Sequence, residues 1–366
     1  MKSFSSFKAL LTSVLILCVC LSCSQEKVEP VTAQEAKDFA RQLQSSIEKR
    51  NSDFFNEAID EEKFLKKAGL DDEKDARSFG AGLSDKMNIG TQLVRSLSKK
   101  GTYELVKQYE KDKKQHLLFR LYYDGSLNYH DIELTKSGKE IKIVDMFIYI
   151  SGELFSETIN NLYRQMKTMM SKGETSFEDR WLLEMPKLKQ KMNAGEYEEA
   201  MEIFERLPEK VQKMKAVQLT HIMIASGLDD MERYEDAIDE YTRLYPDEPN
   251  MHLVLLDSYI LKKEYDKALH SVNELDRMID KDPFLDYYRY LIYNIKEDSI
   301  NARASIIKVM KNMPDFEDGM LELIVLYIDE KNNTEADKWI KEFRNHGSFD
   351  HEQLESLLII KGYKTE

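Results

Sequence analysis

The sequence predicts an α+β N-terminal domain, helices plus a four-stranded antiparallel sheet, followed by an all-α superhelical solenoid of paired helices. Three observations carry this. Four runs rich in β-branched and aromatic residues follow one another between residues 103 and 150, with turn signals between them. From about Phe177 strand signals cease, and alanines recur at intervals of 37, 31, 34 and 34 residues. All three cysteines of the 366-residue chain lie before residue 24, ahead of both regions.

The first element is a leader over residues 1–22. Lys2 and Lys8 precede Ala9–Leu21, an almost wholly apolar run. Positive residues ahead of a short apolar core are the layout of an export signal, and the run falls short of the ~20 residues that span a bilayer. Cys20-Leu21-Ser22-Cys23 ends the core and is followed by polar Ser24-Gln25-Glu26-Lys27. This stretch resembles a bacterial lipobox. Ser22-Cys23 fits that motif, while Leu21 and Cys20 stand where the family prefers a small residue and a leucine. The resemblance implies that Cys23 is acylated and becomes the new N-terminus, with residues 23–30 as a tether. The expected location is the bacterial cell envelope, the outer membrane favoured, with the protein part outside the cytoplasm. Loss of the leader leaves no free thiol once Cys23 is acylated, which excludes a disulfide framework, Cys-ligated zinc and a cysteine nucleophile.

Residues 31–152 form the expected α+β domain. Thr32-Ala33-Gln34-Glu35 is a capping-box pattern, and Ala36, Phe39, Ala40, Leu43 and Ile47 follow at helical spacing. Phe54 to Leu65 reads as one or two broken helices, and a third runs from about Lys74 to Leu97. Its Gly80, Gly82 and Gly90 imply close packing on a neighbour. The strands are Tyr103–Tyr109, Leu117–Tyr123, Leu127–Thr135 and Ile141–Ile150, with hairpin turns at Lys111–Lys114, Asp124-Gly125 and Ser137-Gly138. This order of elements resembles the cone-shaped folds of the nuclear transport factor-like and cystatin-like groups, which sometimes hold a ligand or an acid–base pair. Asp145 interrupts an apolar strand, with Tyr103, Tyr129, His116 and His130 on nearby strands. A buried aspartate there could act as a general base, yet no second catalytic group is placed. A strand-bend cap or a lysine pair is the favoured role.

A connecting helix and loop follow over 153–176, the helix running from Gly152 to Met170. Over 177–348 the alanines are Ala200, Ala237, Ala268, Ala302 and Ala336, and four residues after each stands Phe204, Tyr241, Val272, Ile306 or Ile340. Tyr259, Tyr293 and Tyr327 stand nine residues before the last three alanines, again 34 apart. Small residues let two helices approach, and large ones four positions on fill the groove between them. Pro249 and Pro314 fall where a second helix ends. A 34-residue two-helix unit resembles the tetratricopeptide repeat, although the family's leading tryptophan is missing and Leu-Gly is replaced by Leu255-Leu256 or Leu323-Ile324. Residues 349–366 supply a capping helix, His351–Ile360, with Leu354, Leu357, Leu358 and Ile360 as its apolar face.

In that family the first helix of each unit lines a concave groove. The resemblance places Asn250, Asp257, Phe284, Tyr287, Asn294 and Asp318 in the groove, beside apolar Leu253, Ile260, Leu291, Leu321, Val325 and Ile328, of which Leu253 and Leu291 above all read equally well as core. An aromatic, partly apolar groove suits a helix or extended segment of a partner protein. The net charge of −14 excludes nucleic acid, whose binding needs cations to replace counterions. The seven histidines show no ligand spacing, and no glycine-rich phosphate loop is present. The expectation is a lipid-anchored, non-catalytic adaptor of the envelope without metal or cofactor. The alternative is a ligand-binding or enzymatic α+β domain that the repeats merely support.

Overall fold

The computed structural model describes residues 29–71, 88–97, 101–123, 125–171, 181–246, 248 and 250–364. The leader, Cys23, Gly80, Gly82, Asp124 and Pro249 lie outside these residues.

Helix α1 (Ala33–Glu48) begins at the expected capping box. The Thr32 hydroxyl accepts from the Glu35 N–H, and the Glu35 carboxylate accepts from the Thr32 N–H at 2.8 Å. Its buried face is Ala36, Phe39, Ala40, Leu43 and Ile47, the five positions marked by periodicity. The broken stretch resolves into α2 (Asp53–Glu57) and α3 (Glu61–Lys67). Helix α4 (Ile89–Ser96) starts after the non-helical Asn88, so the single helix expected from about Lys74 to Leu97 is interrupted there, and its residues 72–87 lie outside the described ones. A Cβ at Gly90 would stand 2.8 Å from Phe55 Cβ, so a glycine is needed for this approach.

The sheet has five strands: β1 (Thr102–Lys111), β2 (Lys114–Tyr123), β3 (Ser126–Ser137), β4 (Glu140–Ile148) and β5 (Glu153–Leu154). They pair in sequence order, each antiparallel to the next. The fifth is an addition to the expected four. Gly152, at φ 65°, turns the chain back onto β4 before α5 (Phe155–Ser171), so the helix starts later than Gly152. Asp112 and Lys113 both take left-handed conformations, the geometry that a two-residue hairpin requires. Register shifts at Leu105/Lys107 and Glu133/Leu134 mark the two bulges, which add bend and twist to the sheet. Leu117, Phe119, Leu121, Ile132 and Leu134 pack with α1 into a closed core.

Helices then follow without a further strand among the described residues: α6 (Trp181–Asn193), α7 (Tyr197–Glu205), α8 (Glu209–Gln212), α9 (Lys215–Ser226), α10 (Met231–Leu244) and α11 (Met251–Leu261). Next come α12 (Tyr265–Met278), α13 (Leu285–Ile295), α14 (Ser299–Asn312), α15 (Glu317–Asp329), α16 (Asn333–Asn345) and α17 (His351–Ile360). They pack in consecutive pairs: α6 with α7, α9 with α10, α11 with α12, α13 with α14, and α15 with α16. All five recurrent alanines are buried, as are Phe204, Tyr241, Val272, Ile306 and Ile340. The longest interval, from Ala200 to Ala237, contains the extra helix α8.

The turns within the pairs repeat as well. Gly195, Lys263, Glu297 and Lys331 are left-handed, with φ between 58° and 74°, and each stands five residues before one of the alanines. A left-handed residue after the last helical turn ends one helix and lets the next reverse. Pro314 lies just beyond α14, as expected. The last helix buries Leu354 and Leu358, but Ile360 is 81% exposed and forms no part of the cap. It projects from the outer side of α17, two residues past the buried Leu358.

Candidate functional site

The site begins with the second face of the sheet. Along β2 the residues alternate: Leu117, Phe119 and Leu121 face α1, while Leu118, Arg120 and Tyr122 point the other way. That outer face is covered by the helical half. Leu118, Leu127 and Tyr129 share one apolar cluster with Leu253, Phe284, Leu285 and Tyr287.

Polar groups fix the docking. Arg120 donates to Asp282 at 2.6 Å and also to Glu104, and its guanidinium lies 4.4 Å from the Phe284 ring centre. The Tyr129 hydroxyl donates to the other Asp282 oxygen at 3.0 Å, and the Phe284 N–H donates to Asp282 at 3.0 Å. Burial opposes the charge on Arg120, but Asp282 and Glu104 outweigh it and raise its pKa above the usual value. Nearby, the Tyr288 hydroxyl donates to the Gly125 carbonyl at 2.9 Å, and Tyr122 packs on Phe284 with ring centres 4.7 Å apart. At the other corner the Asn250 amide donates to the Ile150 carbonyl at 2.6 Å. A Cβ on Gly152 would press on Asn250 and Lys215 at 3.2–3.3 Å, so this turn closes tightly on α11.

The six expected groove residues therefore divide. Asn250, Phe284 and Tyr287 are buried, at 2%, 1% and 6% exposure. Asn250 is held by the turn between β4 and β5 and by Tyr241, Phe284 lies against Tyr122 and Arg120 of β2, and Tyr287 packs on Phe316 with ring centres 4.9 Å apart. The N-terminal domain thus covers Asn250 and Phe284, whereas Tyr287 is enclosed by Phe284 and Phe316 of the helical half. Asp318 is half-buried near Tyr287, and Asn294 is exposed at the far end of α13. Asp257 lies in an open recess. The recess has a volume of about 500 Å³ and is walled by Leu228, Met231, Tyr234, Ile260 and Leu261. The Tyr234 hydroxyl donates to Asp257 at 3.3 Å. Surrounding protein raises the Asp257 pKa, and the Tyr234 hydrogen bond only partly offsets this.

Arg120 and Asp282 were not singled out in the sequence, and Tyr129 was named only as a neighbour of Asp145, yet a signal for the docking existed. His116-Leu117-Leu118-Phe119-Arg120-Leu121-Tyr122-Tyr123 is apolar on both faces rather than alternating, the pattern of a strand covered on two sides.

Asp145 is tied to the start of α5. Its carboxylate accepts from the Ser156 N–H at 3.1 Å and the Ser156 hydroxyl at 2.6 Å at the start of α5, and Lys67 lies 3.6 Å away. The aromatic and histidine neighbours do not converge on it. Tyr103 bonds His130 at 3.2 Å, whereas Tyr109 and His116 bond Asp131. Among the described residues, no group of three or more His, Cys, Asp or Glu side chains is placed to hold a metal, and no helix is long and apolar enough to cross a membrane. Neither a protein-family model nor a curated protein matches the chain.

Proposed function

We propose that this chain is a lipid-anchored, non-catalytic adaptor of the bacterial envelope, tethered through Cys23, whose helical half is a tetratricopeptide-type solenoid that binds a protein segment. The observation that carries the reading is the recurrence of one packing unit. Alanines at 268, 302 and 336 are buried between paired helices, and left-handed turn residues at 263, 297 and 331 keep the same 34-residue step. Stacked pairs of this kind leave the first helix of each pair on one inner face. Here the sheet takes up the part of that face formed by Asn250 and Phe284. The recess where the start of α10 meets α11, at Tyr234, Asp257 and Ile260, is left for a partner, and its acid and its exposed Met231 suit an apolar segment carrying a lysine or arginine.

The test is affinity capture from native envelopes with the intact chain as bait, comparing the parent with Asp257→Lys and with Met231→Glu. The intact chain is required, since separating the halves would bare Tyr122, Phe284 and Asp282 and create a sticky surface. A discrete protein lost with both variants supports the reading. Capture unaffected by either variant removes the recess from it.

A further inference from the structure

The negative charge of the chain is unevenly spread. Residues 155–366 carry 29 Lys and Arg against 43 Asp and Glu, a net −14, whereas residues 29–154 carry 21 against 23, a net −2. In the nearly balanced half, six lysines converge from distant parts of the sequence. Lys63, Lys66 and Lys67 of α3, Lys113 and Lys114 at the β1–β2 turn, and Lys136 of β3 line a recess of about 560 Å³. Among the described residues, Glu29 and Glu133 are the acids on its walls.

Four of these lysines are partnered. Lys67 and Lys114 reach Glu133 at 2.5 and 2.6 Å, Lys63 reaches Asp60 at 2.9 Å, and Lys136 reaches Glu35 at 2.8 Å. Lys66 and Lys113 are exposed and have no partner among the described residues. Val31, Leu134 and Val144 give the recess apolar walls beneath the ammonium groups. Cation rim over apolar wall matches a phosphate with an organic substituent better than it matches a bare ion.

The position of the recess decides which phosphate. Glu29 and Pro30, the first described residues, form part of its lining. Cys23 lies only six residues before Glu29, a reach of at most about 20 Å for an extended chain. We propose that this recess seats the phosphate of an anionic lipid headgroup in the membrane to which the chain is tethered. The sheet domain then lies on the bilayer and the strongly acidic helical half, repelled by the same surface, points away from it. The inference rests on the lipid-anchor reading for its geometry.

The test uses the chain from residue 23 onward with Cys23→Ser, so that no acyl chain contributes, sedimented with phosphatidylcholine vesicles with and without phosphatidylglycerol. Binding is expected only with phosphatidylglycerol. Each lysine at an anionic surface is worth about fivefold in partition, so Lys66→Gln with Lys113→Gln should lower binding by about 25-fold. The pair Lys210→Gln and Lys341→Gln, exposed elsewhere, should leave it unchanged. Circular dichroism confirms that each variant is folded. Equal binding to both vesicles, indifference to the Lys66/Lys113 pair, or displacement by inorganic phosphate at matched ionic strength would overturn the proposal. Lipidation is read separately, from the mass of the Cys23 peptide of membrane-derived protein. An unmodified Cys23 removes the anchor and leaves the vesicle result to stand by itself.

Discussion

Arg120 and Asp282, 162 positions apart in the chain, form a buried ion pair of 2.6 Å that joins the sheet to the helical half. Their side chains are 5% and 1% exposed. Asp282 also accepts from Tyr129 and from the Phe284 N–H, so both of its oxygens are used. The two halves are therefore parts of one structure rather than beads on a tether.

Removing one partner leaves the other charged and buried. Asp282→Asn keeps the shape and should cost about 3–5 kcal/mol in urea unfolding. Arg120→Met combined with Asp282→Leu should cost less than the sum of the single changes, because no lone charge remains. Additive costs would show that the pair is not coupled.

Much of the architecture was legible in the sequence. Helix α1 and its cap, four strands and the 34-residue step of the helices all follow from spacing and turn chemistry. The six expected groove residues came from the repeat resemblance alone. Nothing at Phe284 or Asn250 says that these positions are covered from within the same chain. That information lies in β2, where Leu118, Arg120 and Tyr122 make the outer face as bulky as the inner one. The two-residue strand β5 was beyond reach, since it exists only because Gly152 turns the chain onto β4.

The buried alanines set the distance between paired helices. Ala302→Leu inserts three carbons where the parent residue is 2% exposed. It should destabilise the chain by about 1–3 kcal/mol in the same urea assay. A neutral result would mean that the pair has slack the packing does not show.

The left-handed turn residues give the opposite sign. Lys331 holds φ 59°, which costs an L-residue roughly 1–2 kcal/mol, while glycine adds about 0.5–1 kcal/mol of unfolded-state entropy. Lys331→Gly should therefore stabilise by up to about 1 kcal/mol, whereas Lys331→Val should destabilise. Thermal melts of both variants separate the two effects.

His130 supplies a pH dependence. Complete burial lowers its pKa from 6.5 to about 4. The unfolded chain then binds the proton more readily than the folded one. Its contribution is fully present above pH 6.5 and is lost as pH falls from 6.5 toward 4, amounting to about 2 kcal/mol between pH 7 and pH 5. His130→Gln should flatten that part of the pH–stability curve, even if its stability at pH 7 is lower. An equally steep curve in the variant would assign the acid sensitivity elsewhere.

The central claim is that the chain's own sheet covers the helices at Phe284, while the recess at Asp257 is left for a partner. Photo-crosslinking in native envelopes, with benzoylphenylalanine at position 284 or 257, tests both parts at once. The account predicts an internal link from position 284 to the β2–β3 hairpin and a discrete heavier adduct from position 257. Capture of the same outside protein from position 284, or only internal links from position 257, would contradict it.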